Sequence, residues 1–376
     1  MFNLLEKYLL LALLLTNLTA EYVLLMPVSK FLFYIVFALS LGLLLSRTLI
    51  SFRSFKTYTP LYLLSLIIII YELFTTPENS NTETTTYVIA KTFSFAIVIC
   101  GIGRNFDFYN WKFHIIFAVA ATGLLLMGYF FRPVTFGGRL GFGFANPNAA
   151  SSIAALSFAI YLFSNGMKRR FVILGASICF LAVILGGSRN ALGICVLALL
   201  FRFGLSMKLI LTSLIIFAGI SLLPEIGIQV TAIDRLMGTL TGDVALDREN
   251  QREAAMWMIS QRPLMGWGFD AHMVGKAAEL SEYGAHNGYL EMLIQMGTIL
   301  GGCWIVILLF SALKISLRYK SCNDLHLQYH AFAILGILLA ANQESYLIGV
   351  NQIITNLFFV SLAILLTTKS SSNTCS

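Results

Sequence analysis

The chain has 376 residues, 58% of them hydrophobic and only 11% charged, with a formal net charge of +7. A water-soluble globule of this length needs far more charged surface, so a polytopic all-α transmembrane bundle is expected instead. The basic excess does not point to nucleic acid: most basic residues sit in short clusters between apolar runs, where the orientation of membrane helices is set.

A β-barrel would alternate apolar and polar residues along each strand, and runs such as LYLLSLIIII and LILTSLIIF do not. The first apolar segment has no small-residue cleavage signal and reads as a spanning helix rather than a removed leader. Six cysteines are scattered, with Cys100, Cys179, Cys195 and Cys303 in apolar runs and Cys322 and Cys375 in polar ones. With no CxxC pair, neither a metal site nor a disulfide scaffold is expected.

In chain order the pattern predicts spans over 8–27, 30–49 and 58–74. A polar linker, PENSNTETTT, separates these from spans over 87–103, 113–130 and 147–164. Spans seven and eight cover 171–187 and 191–204, divided by Ser188-Arg189-Asn190. That break reads either as an external turn or as a kink in one long element. A ninth span covers 208–224. The long polar segment 225–284 follows it, and spans over 285–312, 329–345 and 349–367 close the chain. Spans three and eight are short for a bilayer.

Twelve spans place both termini on one side. With that side cytoplasmic, Lys7, Arg47 to Lys56, Arg104 with Lys112, and Lys168-Arg169-Arg170 all fall inside. So do Arg202 with Lys208, Lys314 to Lys320, and Lys369, as the positive-inside rule requires. The 75–86 linker, the 131–146 loop, Ser188-Arg189-Asn190 and 225–284 then converge on the opposite face. Arg139, Arg189, Arg248, Arg252 and Arg262 lie there, where the same rule disfavours them.

Arg189 stands between two apolar runs in GGSRNALG, where an arginine needs a partner or a polar cavity. Its small neighbours let backbone approach a ligand closely. Segment 246–261 predicts an amphipathic helix of about four turns, capped by Asp243 or Asp247 and stopped by Pro263. Arg248 and Arg252, four apart, share a face. Guanidinium suits phosphate because its rigid fork makes paired, charge-assisted contacts, and Arg252 is the better candidate. RPLMGWGFDAH then gives a sharp turn carrying Trp267.

His286 and Tyr289 are three apart at the start of span ten, with Asn287 and Glu291 four apart on a neighbouring face. A histidine there can take a proton from an attacking hydroxyl. Glu291, a turn deeper, calls for a partner among the external arginines. No HExxH or Walker motif is present. Several arginines with one histidine at a membrane face therefore suggest a reaction on a preactivated lipid phosphate, the arginines stabilising charge on the leaving diphosphate.

Three stretches resemble the O-antigen ligase and polymerase family of bacterial envelope glycan synthesis, over roughly residues 130–305. They are FGFANPNAAS at 142–151, GGSRNALG at 186–193, and REAAMWMISQRPLMGWGFDAH ahead of AHNGYLEMLIQMGTILGG. The resemblance implies one integral membrane domain over 1–376, with 225–284 as a periplasmic loop between spans nine and ten. It implies a bacterial inner-membrane protein with cytoplasmic termini and a periplasmic site.

The implied activity is inverting transfer of a polysaccharide from undecaprenyl diphosphate to a sugar of lipid A–core, without metal, nucleotide or other cofactor. By the same resemblance, Arg189, Arg252 and His286 are the essential residues. Arg139, Arg248, Arg262, Asn287, Tyr289, Glu291 and Trp267 complete the candidate substrate-binding set. A repeat-unit polymerase that extends a second lipid-linked glycan and a protein O-glycosyltransferase remain alternatives. A secondary transporter of an anionic solute is a further one, although no internal repeat supports it.

Overall fold

In a computed structural model of the protein, the described residues are 2–46, 56–79, 97–99, 101–103, 105–131, 135–136, 139–204, 206, 211, 245–269, 286–347 and 353–371. The architecture is all-α, as the composition requires. Among the described residues, three helical stretches, Phe108–Phe131, Arg169–Gly186 and Gly288–Tyr319, are long and apolar enough to cross a bilayer. Six shorter apolar helices accompany them. The expected spans over 208–224 and most of 87–103 lie outside the described residues.

Helices α1 (Phe2–Ala20) and α2 (Met26–Ser46) pack against each other, and α3 is Thr59–Asn79. The turn between α1 and α2 falls at residues 21–25, earlier than hydropathy suggested. Tyr22, Val23, Leu24 and Leu25 are apolar and so read as helix. Pro27 stands in the first turn of α2, where its missing N–H has no intrahelical acceptor to lose. The turn is fixed to the 142–146 segment: Tyr22 bridges Phe144, Val23 N donates to Gly143 O (2.9 Å), and Ala145 N donates to Glu21 O (3.1 Å).

Helix α4 (Phe113–Phe131) is entered through a π-turn, Phe108–Lys112. A two-stranded ribbon follows, β1 (Thr135–Phe136) antiparallel to β2 (Arg139–Leu140). Helix α5 (Pro147–Leu162) is the hub. Its small residues Ala150, Ser151, Ala154, Ala155 and Ala159 are fully buried and let α4 and the two helices that follow, α6 (Arg169–Gly186) and α7 (Arg189–Phe203), close in. A Cβ at Gly186 of α6 would fall 2.2 Å from Ser151 Oγ, so a side chain there would have to turn that hydroxyl off Pro147 O.

The break after α6 is a true helix end. Gly187 takes the left-handed conformation (φ 62°) as the C-terminal cap, and Ser188 caps α7 (Arg189–Phe203) by accepting from Ala191 N at 3.4 Å. Both helices lie against α5.

Helix α8 (Ala245–Gln261) starts one residue before the predicted segment, which puts Asp247 inside the first turn instead of at the cap. Span ten begins at α9 (Gly288–Met296), bulges through a π-turn at Gly297–Gly301, and continues as α10 (Gly302–Tyr319). Helices α11 (Leu325–Ala340) and α12 (Ile353–Ser371) complete the bundle.

Cysteine pairing differs from the expectation. Cys179, Cys195 and Cys303 are free, but Cys322 is disulfide-bonded. Pairing depends on three-dimensional proximity, which the absence of CxxC spacing does not report. Cys322 sits just past Lys320, beyond the end of α10.

Candidate functional site

The 262–269 turn is knitted to the interruption in span ten. Trp267 N donates to Ile294 O (2.9 Å), Gly268 N to Gln295 O (3.0 Å), and Thr298 N to Pro263 O (2.7 Å). These bonds satisfy backbone groups that the π-turn would otherwise orphan. Tyr71 of α3 adds hydroxyl contacts to Met265 O (2.9 Å) and Gln295 O (2.6 Å). The approach is so close that a Cβ at Gly266 would lie 2.4 Å from Gln295 O.

Helix α8 is held down by an apolar patch of Ala255, Met258, Ile259 and Ile294, with Trp267, Leu290 and Leu293 at its edge. Trp267 Nε1 donates to Met258 O (2.9 Å). Together these contacts set the face that carries Arg252.

A cavity of about 460 Å³ opens between α8, the mouth of α9 and the turn after α11. It is lined by Gln251, Arg252, His286, Asn287, Tyr289, Leu290, Asn342 and Gln343. A second cavity of about 280 Å³ runs between α7 and α11 and contains Arg189 and Asn190 at its polar end. The two share Asn342 and Gln343 and so adjoin. Arg189, Arg252 and His286, distant in sequence, thus meet around one region.

His286 has φ 41°, outside the basins most side chains prefer. Such a conformation costs on the order of 1–3 kcal/mol and persists only where the surroundings over-determine it. Those surroundings are visible. Asn287 caps α9 by accepting from Tyr289 N (3.0 Å) and Leu290 N (3.1 Å), while its amide donates to Asn342 O (3.0 Å) and Asn342 Oδ1 (3.1 Å). Gly288 N donates to Ala341 O (2.8 Å), and Tyr289 hydroxyl to Leu338 O (2.8 Å). The mouth of span ten is therefore stitched to the end of α11, and His286 is held where the stitching begins.

A carboxylate that sequence reasoning did not single out, Glu344, stands beside His286, with Oε2 at 3.6 Å from Nδ1. Glu344 is 6% exposed, a depth at which an acid needs partners. Its Oε1 accepts from Asn148 Nδ2 (2.8 Å), and Asn148 Oδ1 accepts from Arg139 Nη2. Arg139 Nε in turn donates to Gly186 O (2.8 Å). A relay from Arg139 through Asn148 and Glu344 to His286 ties β2, α5, the turn after α11 and α9 together.

The remaining candidates divide. Arg139 is buried and engaged with Gly186 and Asn148 rather than lining either cavity. Arg262 is exposed, its guanidinium 4.6 Å from the Trp267 ring centroid, a cation–π pair outside both cavities. Glu291 is half-buried in the first turn of α9 and also lines neither. Arg248 lies in the first turn of α8, and its side chain is outside the described residues.

Sequence reasoning missed Glu344, Asn342, Gln343 and Gln251. Asn148 stands out in the sequence only as part of NPN. Among the described residues no group of histidine, cysteine, aspartate and glutamate has the makings of a metal site. Compared with known protein families and with curated proteins, the chain finds no match.

Proposed function

We propose that the protein is an inverting glycosyltransferase of the bacterial inner membrane, with a periplasmic site, that takes a polysaccharide from undecaprenyl diphosphate. Lipid A–core is its acceptor, as in the O-antigen ligases that its motifs resemble. One observation carries the reading: Arg189, Arg252 and His286 line two adjoining cavities joined through Asn342 and Gln343. Two guanidinium groups beside a histidine with a carboxylate behind it suit the displacement of a diphosphate by a hydroxyl.

In the reaction, the acceptor oxygen attacks the anomeric carbon as the bond from that carbon to the diphosphate oxygen breaks. The hydroxyl proton goes to His286. With Nδ1 turned to Glu344, Nε2 is the nitrogen that receives it, and the carboxylate stabilises the resulting imidazolium. The bonding electrons leave with the diphosphate, whose growing charge Arg189 and Arg252 balance. Asn148, held by Arg139, keeps Glu344 aimed.

The test uses purified protein in proteoliposomes with a polyprenyl-diphosphate-linked glycan and lipid A–core. Arg189→Ala or Arg252→Ala abolishes product while membrane insertion is retained. Normal transfer by either variant sinks the reading. Product formed only with a second lipid-linked repeat as acceptor moves the protein to the polymerases.

A further inference from the structure

Helix α8 turns one face inward, where Ala255, Met258 and Ile259 are buried against Ile294. Gln251 lies one turn before Ala255 on that face and is 8% exposed, an amide where the helical pattern calls for an apolar side chain. Among the described residues no hydrogen bond reaches its side chain. A buried polar group without a partner is costly, so packing alone does not account for a glutamine at this position. It lines the larger cavity, beside Arg252 and His286.

The neighbouring groups are committed. Asn287 caps α9 and donates to Asn342, and the Tyr289 hydroxyl donates to Leu338 O. Arg252 and His286 belong to the reaction proposed above. A primary amide sets an oxygen acceptor and a nitrogen donor side by side, which matches two neighbouring hydroxyls of a sugar ring. Among the described residues, those lining this cavity include no carboxylate to hold an amino sugar, and an acidic sugar would compete with the diphosphate for Arg252. Tyr289 and Leu290 add carbon surface suited to the C–H face of a ring. Gln251 lines the cavity that holds His286 and not the one that holds Arg189, which puts it on the side of the attacking hydroxyl.

We infer that Gln251 selects the acceptor: its amide binds hydroxyls of a neutral sugar next to the one that attacks. This rests on the transferase reading, which makes the sugar in this cavity the acceptor. The experiment uses the full-length protein in proteoliposomes with a series of lipid A–core acceptors, each lacking one hydroxyl of the terminal sugar other than the attacked one. In the wild type, loss of the hydroxyl that Gln251 binds raises acceptor KM by about tenfold or more. Leucine suits the buried face, so Gln251→Leu folds. It raises KM for the intact acceptor by a similar factor, removes the discrimination against that deoxy acceptor, and leaves KM for the lipid-linked donor at the wild-type value. Gln261→Leu, which replaces an exposed amide on the same helix, behaves as wild type.

Discrimination retained in Gln251→Leu overturns the proposal, and so does a rise confined to donor KM, which assigns the amide to the leaving diphosphate. If product forms only on a lipid-linked repeat, the same deoxy series is built on that repeat's terminal sugar. Failure of the transferase reading looks different. Saturation-transfer NMR reads weak binding of the core oligosaccharide freed of lipid, with no turnover needed. Where transfer fails, binding that Gln251→Leu weakens about tenfold leaves the sugar site standing and removes the reaction. Where transfer fails and the wild type binds no sugar, or both proteins bind it equally, the sugar site falls as well.

Discussion

Histidines stand at opposite ends of α11, a cluster of three at its start and His286 alone beside its end, about ten residues and some 15 Å of helix apart. At its start, His330 is fully buried, with ring nitrogens 3.2 Å from Ser361 Oγ and 2.8 Å from Asn110 O. His114 packs edge-on against it at 4.7 Å between ring centroids, and Trp111 stacks on His326 at 4.1 Å. Neither ring nitrogen of His114 has a hydrogen-bond partner among the described residues. At the other end, past Ala340, the chain turns through Asn342 and Gln343 to Glu344, which faces His286. The first group is imidazole used as an aromatic wall. The second has a left-handed backbone, a carboxylate, neighbouring arginines and a cavity. The same side chain serves packing or proton transfer according to what surrounds it.

The sharpest way to break this contrast is to remove one histidine from each end. His286→Ala lowers kcat by about 10²–10⁴-fold, the usual range for a lost general base. His330→Leu leaves turnover per folded molecule unchanged. It lowers thermal stability instead, by about 1–3 kcal/mol, because Ser361 and the Asn110 carbonyl lose a buried partner. A turnover loss in His330→Leu as large as in His286→Ala erases the distinction.

A smaller effect tests the carboxylate. Glu344→Gln keeps an amide oxygen for Asn148 but removes the charge facing His286. Charge-assisted contacts contribute about 1.5–3 kcal/mol, so kcat falls roughly tenfold to a hundredfold while KM for the donor holds. A change confined to KM assigns Glu344 to binding.

Much of this was legible beforehand, and the gaps have physical causes. Arg189 and His286 stand out because each interrupts or borders an apolar run where charge is expensive, and Arg252 because it shares a helix face with Arg248 on the side where basic residues are disfavoured. Glu344 sits at the edge of an equally apolar stretch, yet it was absorbed into a span over 329–345. What makes it significant is Asn148, 196 positions away, and no local pattern encodes that contact. The α1–α2 turn was misplaced for a related reason. Hydropathy sees Tyr22 to Leu25 as membrane, whereas backbone bonds from Val23 to Gly143 and from Ala145 to Glu21 fix residues 21–25 as a turn.

A still smaller perturbation acts through the turn that supports Arg252. Gly266 has φ 66°, and any Cβ there strikes Gln295 O. Gly266→Ala costs more than about 1 kcal/mol and loosens α8, so KM for the donor rises several-fold while kcat changes little. Steady-state kinetics with a thermal melt check both parts. An unchanged melt shows that the turn is not the support described.

The smallest expected effect concerns Glu21, in the turn that buttresses the 142–146 segment. Burial pushes its carboxyl up from 4.5 to about 7. The folded protein therefore holds this proton more tightly than the unfolded chain does. The advantage is fully present below about 4.5, declines as pH rises, and is gone by about 7. The wild type loses stability across that window, by at most about 3 kcal/mol and by less because the residue is only partly buried. Glu21→Gln mimics the protonated form and flattens the slope, so the two melts converge at pH 4 and separate at pH 7.5 with the variant the more stable. Since Glu21 and Glu344 both lie near enough to bear on the Tyr346 hydroxyl, the substitution perturbs only the end of α11 beside His286. Parallel melts at every pH show that Glu21 is solvated, and the turn then supports the site by its backbone alone.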